Sequence, residues 1–431
     1  MLSLFYVEKK IIYSFVEDDN YFFLLSRSRN NSKDKNIQKT KYAIKEMEKI
    51  NSFLIIIILV VTGCDNNKQS TKNFITVDVM KSYPKKELIL QDFMSVEYIP
   101  LETTDNFLTQ GLVLAIGKDI IIVKNSVNDG DIFIFDKTTG KGLRKINRKG
   151  QGSEEYINAT WVTIDEDADE MFVDDISSAR VLVYDLEGKF KRSFKLKEGV
   201  LYVYIYNFDR ENLICYDGYF DYENKGSMHP LLLISKKDGI ITKEIQIPFE
   251  DKIIPALINH GSIPENFYPI IPYYNSWILI EPSSDTIYRY MPDHNLTPLI
   301  VRVPSIQHKE PEVFLFLSTL SDNYFFMESV KKVFDVSTQQ GYPGTDLLYE
   351  KKKNAIFEYT IYNGDYTDKK IISIKPPRPR PISDGIATWQ PLDSYQLVED
   401  YKKGILKGKL KEIAKNLNED DNPVIMLVKH K

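Results

Sequence analysis

A unit of four short strands recurs along this chain, and the repeat restricts the fold more than any other feature of the sequence. The clearest copies run from 111 to 150 and from 161 to 196, and in each the third strand ends in the same kind of turn. The turns read FDKTTGK at 135–141 and YDLEGK at 184–189, with a weaker copy, ISKKDG, at 234–239. A four-stranded unit repeating at a spacing of about 50 residues indicates the blades of a β-propeller.

The hydrophobic pattern of the strands explains why such units pack radially. Strands such as VLVYD and PLLLIS are apolar on both alternating sets of side chains, so both faces of each sheet must be covered. Six third strands can be counted: IFIFD at 132–136, VLVYD at 181–185, LLLIS at 231–235, TIYRYM at 286–291, LLYEKKKN at 347–354 and PVIMLVKHK at 423–431. The sequence therefore predicts an all-β, six-bladed propeller over 74–431, with a seven-bladed ring as the alternative.

The ring has to be closed by strands from the two ends of this region. The last apolar strand, PVIMLVKHK, has no following strand, so its blade needs one from the N-terminal side, either FITVDV at 74–79 or SVEYIPL at 95–101. One helix is predicted at about Asp400 to Leu417, inserted near the C-terminus. Its stripe of apolar residues at spacings of three and four should dock on the propeller: Ile405, Leu406, Leu410, Ile413, Ala414 and Leu417.

A processing signal precedes the propeller. The segment from Met47 contains a positive residue, Lys49, and an apolar run at 53–61 that is far shorter than the roughly 20 residues of a membrane-spanning helix. The run ends in Val61-Thr62-Gly63-Cys64, which resembles the bacterial lipobox, so Cys64 is predicted to carry the lipid. The alternative is a short buried strand that ends at a free cysteine.

These signals divide the chain into four parts. Residues 1–46 precede the signal and show no clear periodicity, so we interpret Met47 as the working start; the alternative is an unusual leader kept in the product. Residues 47–63 form the lipoprotein signal peptide, 64–73 a polar tether and 74–431 the propeller. With Cys64 lipidated, Cys215 has no partner for a disulfide, and its apolar surroundings predict a buried side chain.

Several motifs together resemble the six-bladed β-propeller lipoproteins of Bacteroidetes. They are VEYIPLET at 96–103, GQGSEEY at 150–156, VYD at 183–185 with Gly188, and DNPV at 421–424. Where the family loop reads GQGPGEY, this chain has Ser153 and Glu154. The resemblance implies a cell-envelope lipoprotein, anchored to the outer membrane on its periplasmic or surface side, that works beside outer-membrane nutrient uptake systems. No catalytic residues carry over from it.

The sequence offers no catalytic, metal or cofactor motif. GQGSEEY lacks the third glycine and the helix of a phosphate loop, so we interpret it as a turn between blades one and two, with Tyr156 packed between them. The acidic run at 165–170 lacks the glycine and glutamate of a calcium loop and is read as a solvated turn. The five histidines have no metal-ligand spacing. A net charge of -5 gives no basic footprint for nucleic acid.

Loop length is the more informative signal for binding. Connections from strand two to strand three emerge on one face of a propeller, and they are long in blades three, five and six. These loops carry aromatic and polar residues suited to a carbohydrate or peptide. The predicted ligand-binding residues are Tyr219, Phe220, Tyr222, His229 and Tyr342, with Phe334 nearby. The alternative for each is that it only packs its loop against the propeller.

Three functions of different classes remain open from the sequence. The first is a non-catalytic lipoprotein that binds a ligand or partner on the long-loop face. The second is a propeller enzyme, a lyase or hydrolase, that acts at the central channel through His, Asp or Glu side chains on the innermost strands. The third is a structural partner of an outer-membrane transporter that binds no small ligand.

The lipid anchor can be tested by cell fractionation. When the gene is expressed from Met47, the Cys64→Ala variant should leave the membrane fraction, because the only proposed attachment atom is its sulfur. The wild-type protein from the same start serves as the control. Membrane association that is unchanged in the variant would show that Cys64 is not the anchor.

Overall fold

The computed structural model describes residues 74–218, 226–257, 263–265, 267–308, 310–335, 340–376, 382 and 385–431. Cys64 and the segments assigned above to 1–46, 47–63 and 64–73 therefore lie outside the described residues. The described chain forms six radially packed sheets, which confirms the six-bladed propeller.

The described chain opens with three strands and one helical turn, which add to blades formed much later. These elements are β1 (Ile75–Asp78), β2 (Lys85–Ile89), α1 (Leu90–Phe93) and β3 (Ser95–Pro100). Blade one contains β4 (Leu112–Ile116), β5 (Ile120–Lys124), β6 (Asp131–Asp136) and β7 (Gly142–Asn147). Blade two contains β8 (Trp161–Asp165), β9 (Glu170–Asp175), β10 (Arg180–Tyr184) and β11 (Phe190–Lys195). Blade three contains β12 (Tyr202–Asn207), β13 (Asn212–Asp217), β14 (Leu231–Ser235) and β15 (Ile241–Ile245).

Blades four and five each gain a fifth, parallel strand at the outer edge. Blade four contains β16 (Ile270–Tyr273), β17 (Ser276–Leu279), β18 (Thr286–Tyr290) and β19 (Leu296–Val303), and β1 pairs with β19. Blade five contains β20 (Val313–Leu320), β21 (Tyr324–Lys331), β24 (Gly344–Glu350) and β25 (Ala355–Tyr362), and β2 pairs with β25. A hairpin of two short strands, β22 (Phe334–Asp335) and β23 (Gln340–Gly341), each of two residues, lies between β21 and β24 in the chain.

Blade six joins the two ends of the propeller. It contains β26 (Ile386–Leu392) and β27 (Val424–Lys429), and β3 pairs with β27 in antiparallel register from Val424↔Pro100 to Lys429↔Ser95. Ile382 precedes β26 and forms a parallel bridge to Ile116, which lies on the inner strand of blade one. SVEYIPL is thus the closing strand, whereas FITVDV extends blade four.

The repeated turns have the same local cause in successive blades. In blade one the Asp136 carboxylate accepts from the backbone N–H groups of Thr138 and Thr139, and in blade two Asp185 accepts from Glu187 and Lys189. Each turn then needs a residue in the left-handed region. Gly140 supplies it with a φ of 72°, and a side chain there would overlap the Pro100 carbonyl oxygen. The sequence repeat therefore reports a repeated backbone geometry.

The core consists of apolar clusters between neighbouring blades. Tyr156 is fully buried between blades one and two, where its ring meets Tyr184 edge to face and its hydroxyl donates to the Gly130 carbonyl at 2.7 Å. Trp389 is buried between blades six and one. Cys215 is buried between blades two and three, as predicted. Both faces of the inner sheets are thus covered, in agreement with their apolar patterns.

The helical region near the C-terminus differs in extent from the prediction. Instead of one helix from Asp400 to Leu417, the chain forms α2 (Ser394–Lys402) and α3 (Gly408–Ala414). The break occurs because Gly404 adopts a φ of 70° and Leu406 forms a bridge with Tyr366, which takes the backbone out of the helix. Leu397, Leu406 and Leu410 still pack in the cluster between blades five and six. None of the described helices has the length and apolar character needed to cross a bilayer.

The acidic run at 165–170 forms the predicted turn, but its two ends are buried rather than solvated. Asp165 is 8% exposed and pairs with the buried Lys236 ammonium at 2.6 Å. Glu170 accepts from both terminal nitrogens of Arg192, at 2.5 and 2.8 Å. The run therefore links blades two and three, because Lys236 follows β14 of blade three. The sequence does not reveal this burial because Lys236 and Arg192 lie far along the chain from the acidic run.

Two adjacent aspartates at the end of β9 have opposite surroundings. Asp175 is buried and accepts from the Ile157 N–H at 2.9 Å and the Ser178 hydroxyl at 2.6 Å. Asp174 is equally buried, but neither of its carboxyl oxygens has a hydrogen-bond partner among the described residues. Burial, and then the charge of Asp175, raises the pKa of Asp174 well above its ordinary value. At pH values between the pKa of Asp174 in the unfolded chain and its raised pKa in the fold, the folded protein therefore binds a proton that the unfolded chain releases.

This difference predicts how stability depends on pH. Because the pKa of Asp174 is raised in the folded state, proton binding at this residue stabilises the fold. This stabilisation is fully present below the ordinary carboxyl pKa and is lost as the pH rises through the folded-state pKa. Asp174→Leu should remove this loss and raise the free energy of unfolding by about 1–3 kcal/mol at neutral pH, the cost of an unsatisfied buried polar group. The gain should shrink as the pH falls towards 4.

Denaturant unfolding between pH 4 and pH 8 measures both effects. The matched control is Asp175→Leu, which should destabilise the protein because it removes the acceptor of three hydrogen bonds, from the Ile157 and Asn158 N–H groups and the Ser178 hydroxyl. A destabilised Asp174→Leu protein at neutral pH would mean that Asp174 is not the uncompensated group.

Candidate functional site

The connections between strands two and three emerge on the face that also carries the links between blades, and we call this the long-loop face. In blades two and four they are short, at 176–179 and 280–285. In blades three, five and six they span 218–230, 332–343 and 393–423. The opposite surface, which carries the turns between strands one and two and between three and four, is the turn face. Three of the six blades thus concentrate their extra chain on one side.

The blade-five connection is tethered to the chain that links blades three and four. Tyr342, in the left-handed region at a φ of 58°, accepts a hydrogen bond from the Leu257 N–H at 2.6 Å and donates to the Pro255 carbonyl at 2.9 Å. Its ring is half-buried against the core. Tyr342 is predicted to bind a ligand, and its hydroxyl holds two loops together.

The blade-six connection is also fixed at both ends. Asp393 caps α2 by accepting from the Gln396 N–H at 3.0 Å, which gives the helix a defined start. At the other end Asn422 is buried, and its side-chain amide donates to the Glu102 carbonyl and accepts from the Thr109 N–H, both at 2.8 Å. Between them, the Lys407 N–H donates to the Asp365 carbonyl at 2.9 Å. The whole insertion is thus held in one position.

The other predicted residues are placed only in part. Tyr219, Phe220 and Tyr222 lie outside the described residues. His229 is half-buried near the end of the blade-three connection, where its backbone N–H donates to the Ser227 hydroxyl at 3.1 Å. Its ring nitrogen Nδ1 is buried and has no hydrogen-bond partner within the described ranges. The structure therefore leaves the ligand-binding role of these residues as a prediction.

An ionic cluster in blade five was missed by the sequence reasoning. Lys375 lies between Glu328 and Asp346, with its ammonium 2.9 and 2.7 Å from the two carboxylates. Burial alone lowers the pKa of Lys375, but the two carboxylates outweigh burial and the net shift is upward. Its ammonium therefore stays charged and is unsuited to act as a base or nucleophile. The isolated acid in the apolar strand YFFMESVK is the sequence signal that indicates an inward-facing carboxylate.

On the inner strands β8 and β20, hydroxyl and aromatic groups bind backbone carbonyls of neighbouring elements, and the acid at the end of β8, Asp165, is paired with Lys236. The Trp161 indole N–H and the Thr163 hydroxyl both donate to the Ile205 carbonyl, at 2.7 and 2.6 Å. Thr319 donates to the Ile374 carbonyl at 2.9 Å. Within the part of the chain that the structure describes, no group of three or more His, Cys, Asp or Glu side chains is arranged to hold a metal ion. These inner-strand groups serve contacts between blades.

The propeller region of this chain matches a known protein family. Residues 74–429 match the family described as a domain of unknown function, DUF4934. The chain belongs to the DUF4934 family. The match begins and ends with the propeller, so this family domain is the complete six-bladed ring. No curated protein matches the chain.

Solved structures similar to this DUF4934 protein include proteins from Bacteroides. One is a protein of Bacteroides fragilis described as exported, with a TM-score of 0.53, 16% identity and coverage of 83% of this chain and 99% of that chain. Another is a member of the DUF4221 family from Bacteroides vulgatus, with a TM-score of 0.40, 10% identity and coverage of 79% and 98%. At 16% identity, the first structure supports the propeller fold alone.

The Tyr342 tether makes a local prediction. Tyr342→Phe removes the oxygen that accepts from Leu257 but keeps the ring, so exchange of the Leu257 amide proton should accelerate roughly three- to tenfold, the equivalent of one neutral hydrogen bond. Hydrogen exchange read by NMR measures the rate. Tyr395→Phe is the control, since Tyr395 is 56% exposed on α2. Unaltered Leu257 protection in Tyr342→Phe would contradict the tether.

Proposed function

We propose that this DUF4934 protein is a non-catalytic, exported lipoprotein that captures a carbohydrate, a peptide or a partner protein on its long-loop face. The observation that carries the proposal is the concentration of three long connections on one face of the ring. Two of them are held by specific hydrogen bonds rather than left loose. A surface fixed before binding loses less conformational entropy when a ligand arrives.

The charge and chemistry of the described residues support binding over catalysis. The charged lysine of the blade-five cluster is neutralised by two carboxylates, and the hydroxyl groups of the inner strands donate to backbone carbonyls. The aromatic residues predicted for the loops supply large contact areas, which suits stacking on a sugar ring or packing against a peptide. No described observation favours the lyase or hydrolase alternative.

The location follows from the N-terminal signal. In this proposal Cys64 carries the lipid, the polar tether at 64–73 spaces the propeller from the outer membrane, and the long-loop face meets its ligand or an outer-membrane transporter for nutrient uptake. The described exported protein of Bacteroides fragilis has the same fold, which is consistent with a cell-envelope role for the family.

The long-loop face can be tested with glycan and peptide arrays. A Tyr219→Ala, Tyr222→Ala double variant should lose binding by about 2 kcal/mol or more, because truncation of interface aromatics has costs of this size. Ile240→Ala, at an exposed position of the turn face, is the control, and circular dichroism confirms that both proteins fold. A bound ligand that the folded double variant retains at full affinity would exclude this site. If the arrays give no ligand, outer-membrane proteins should be recovered by pull-down with the wild type and not with the double variant.

A further inference from the structure

A second concave site lies on the turn face, opposite the long loops. Its cavity of ≈ 250 Å³ is bounded on one side by the two turns of blade five and on the other by α1 and the residue after His430. Its polar lining consists of Asp92, Asp322, Asn323, Glu350, Lys352 and Lys431. We call this the turn-face cleft.

The walls of the cleft are fixed by contacts with neighbouring elements. The Glu350 carboxylate is held by the ammonium groups of Lys86 at 2.6 Å and Lys353 at 3.3 Å. The Lys431 ammonium donates to the carbonyls of Gln91 and Asp92, at 2.8 and 3.0 Å. These contacts join blade five to β2 and the end of blade six to α1, so the cleft exists before any ligand binds.

One further contact fixes the floor on the blade-four side. The Tyr274 hydroxyl donates to the Asp322 carboxylate at 2.8 Å, while Tyr274 itself lies in the left-handed region at a φ of 48°. Within the described ranges, the second oxygen of Asp322 has no hydrogen-bond donor and can take one from a ligand. The carboxylate is therefore oriented by the protein and still able to accept a hydrogen bond.

Several polar groups in the cleft have hydrogen-bonding capacity that the protein does not use. Among the described residues, none hydrogen-bonds or ion-pairs with the side chains of Asp92, Asn323 or Lys352. A carboxylate accepts, an ammonium donates, and an amide does both. The cleft thus presents both kinds of partner within one small volume.

The charges of the cleft nearly balance, which decides between ligand classes. Three carboxylates, those of Asp92, Asp322 and Glu350, face the ammonium groups of Lys352 and Lys431, and Glu350 is already neutralised by Lys86. Neither a highly charged cation nor a highly charged anion gains much electrostatic binding free energy from such a site. A neutral ligand with several hydroxyl groups gains at every position, because each hydroxyl can donate to a carboxylate and accept from an ammonium.

Size and shape restrict the ligand further. The rings of Phe93 and Tyr324 line the cleft and pack edge to face at 5.3 Å, which provides an apolar patch beside the polar groups. A sugar ring has both an apolar C–H face and a hydroxyl edge. The cleft is slightly smaller than typical small-molecule pockets of roughly 300–1,000 Å³, so it suits one ring rather than a chain.

We propose that the turn-face cleft binds a single neutral sugar unit, with Asp92, Asp322 and Asn323 accepting from its hydroxyl groups and Lys352 donating to one of them. This site is separate from the long-loop face, so it does not depend on the function proposed above. The two sites would let one propeller hold a sugar on each side.

Saturation-transfer NMR and titration with the purified full chain test the site. The neutral probes are glucose, galactose and N-acetylglucosamine, and the charged probes are glucuronate and glucosamine. At least one neutral sugar should bind. Asn323→Ala should weaken it by about tenfold, because a hydrogen bond is lost, and Asp92→Asn by roughly three- to tenfold, because an amide oxygen accepts a weaker hydrogen bond than a carboxylate does. Asp92 is exposed and Asn323 is half-buried, and circular dichroism checks that both variants fold.

The control is Asp167→Asn, an exposed carboxylate of the same face that lies in blade two, outside the cleft. It should bind the neutral sugar as the wild type does. The Tyr219→Ala, Tyr222→Ala variant should also retain it, which separates this site from the long-loop face. The proposal is overturned if no neutral sugar binds, if only charged probes bind, or if Asn323→Ala and Asp92→Asn bind as tightly as the control.

Discussion

The pairing of β27 with β3 is the interaction on which the rest of the propeller depends. Each blade buries two apolar faces, and it can do so only if it has a neighbour on both sides. The antiparallel register from Val424↔Pro100 to Lys429↔Ser95 supplies the last neighbour by joining strands from opposite ends of the described chain. Asn422 reinforces this joint through the backbone of Glu102 and Thr109. Without the pairing, the faces of blades five and one that pack on blade six would be exposed to water.

Features set by local sequence could be predicted, whereas features that depend on distant partners could not. The third strands, the turn at Gly140 and the burial of Tyr156 follow from alternation and turn chemistry within a few residues. The break between α2 and α3 depends on a bridge from Leu406 to Tyr366, which the apolar stripe does not reveal. The ion pair of Asp165 with Lys236 likewise requires knowing that blades two and three are neighbours.

The same distinction applies to the candidate sites. Loop length predicted a long-loop face because an insertion can be seen directly in the sequence. The turn-face cleft escaped prediction because its lining comes from four separated regions, around Asp92, Asp322, Glu350 and Lys431, that meet only when blades five and six pack together. Tyr342 shows a further limit of prediction from loop composition. Its hydroxyl fixes the position of its own loop by hydrogen bonds to Leu257 and Pro255, and the sequence does not reveal these contacts.

Ring closure by β3 also imposes an order on biosynthesis. β3 is made early, but its partner β27 follows more than 300 residues later, as the separation of 319 between Thr103 and Asn422 illustrates. At roughly 5–20 residues per second of synthesis, the N-terminal strand waits for some tens of seconds with its edge unpaired. During that interval the nascent chain presents an open strand edge that other chains can pair with. That edge is paired only when β27, the last strand of the propeller, has been made.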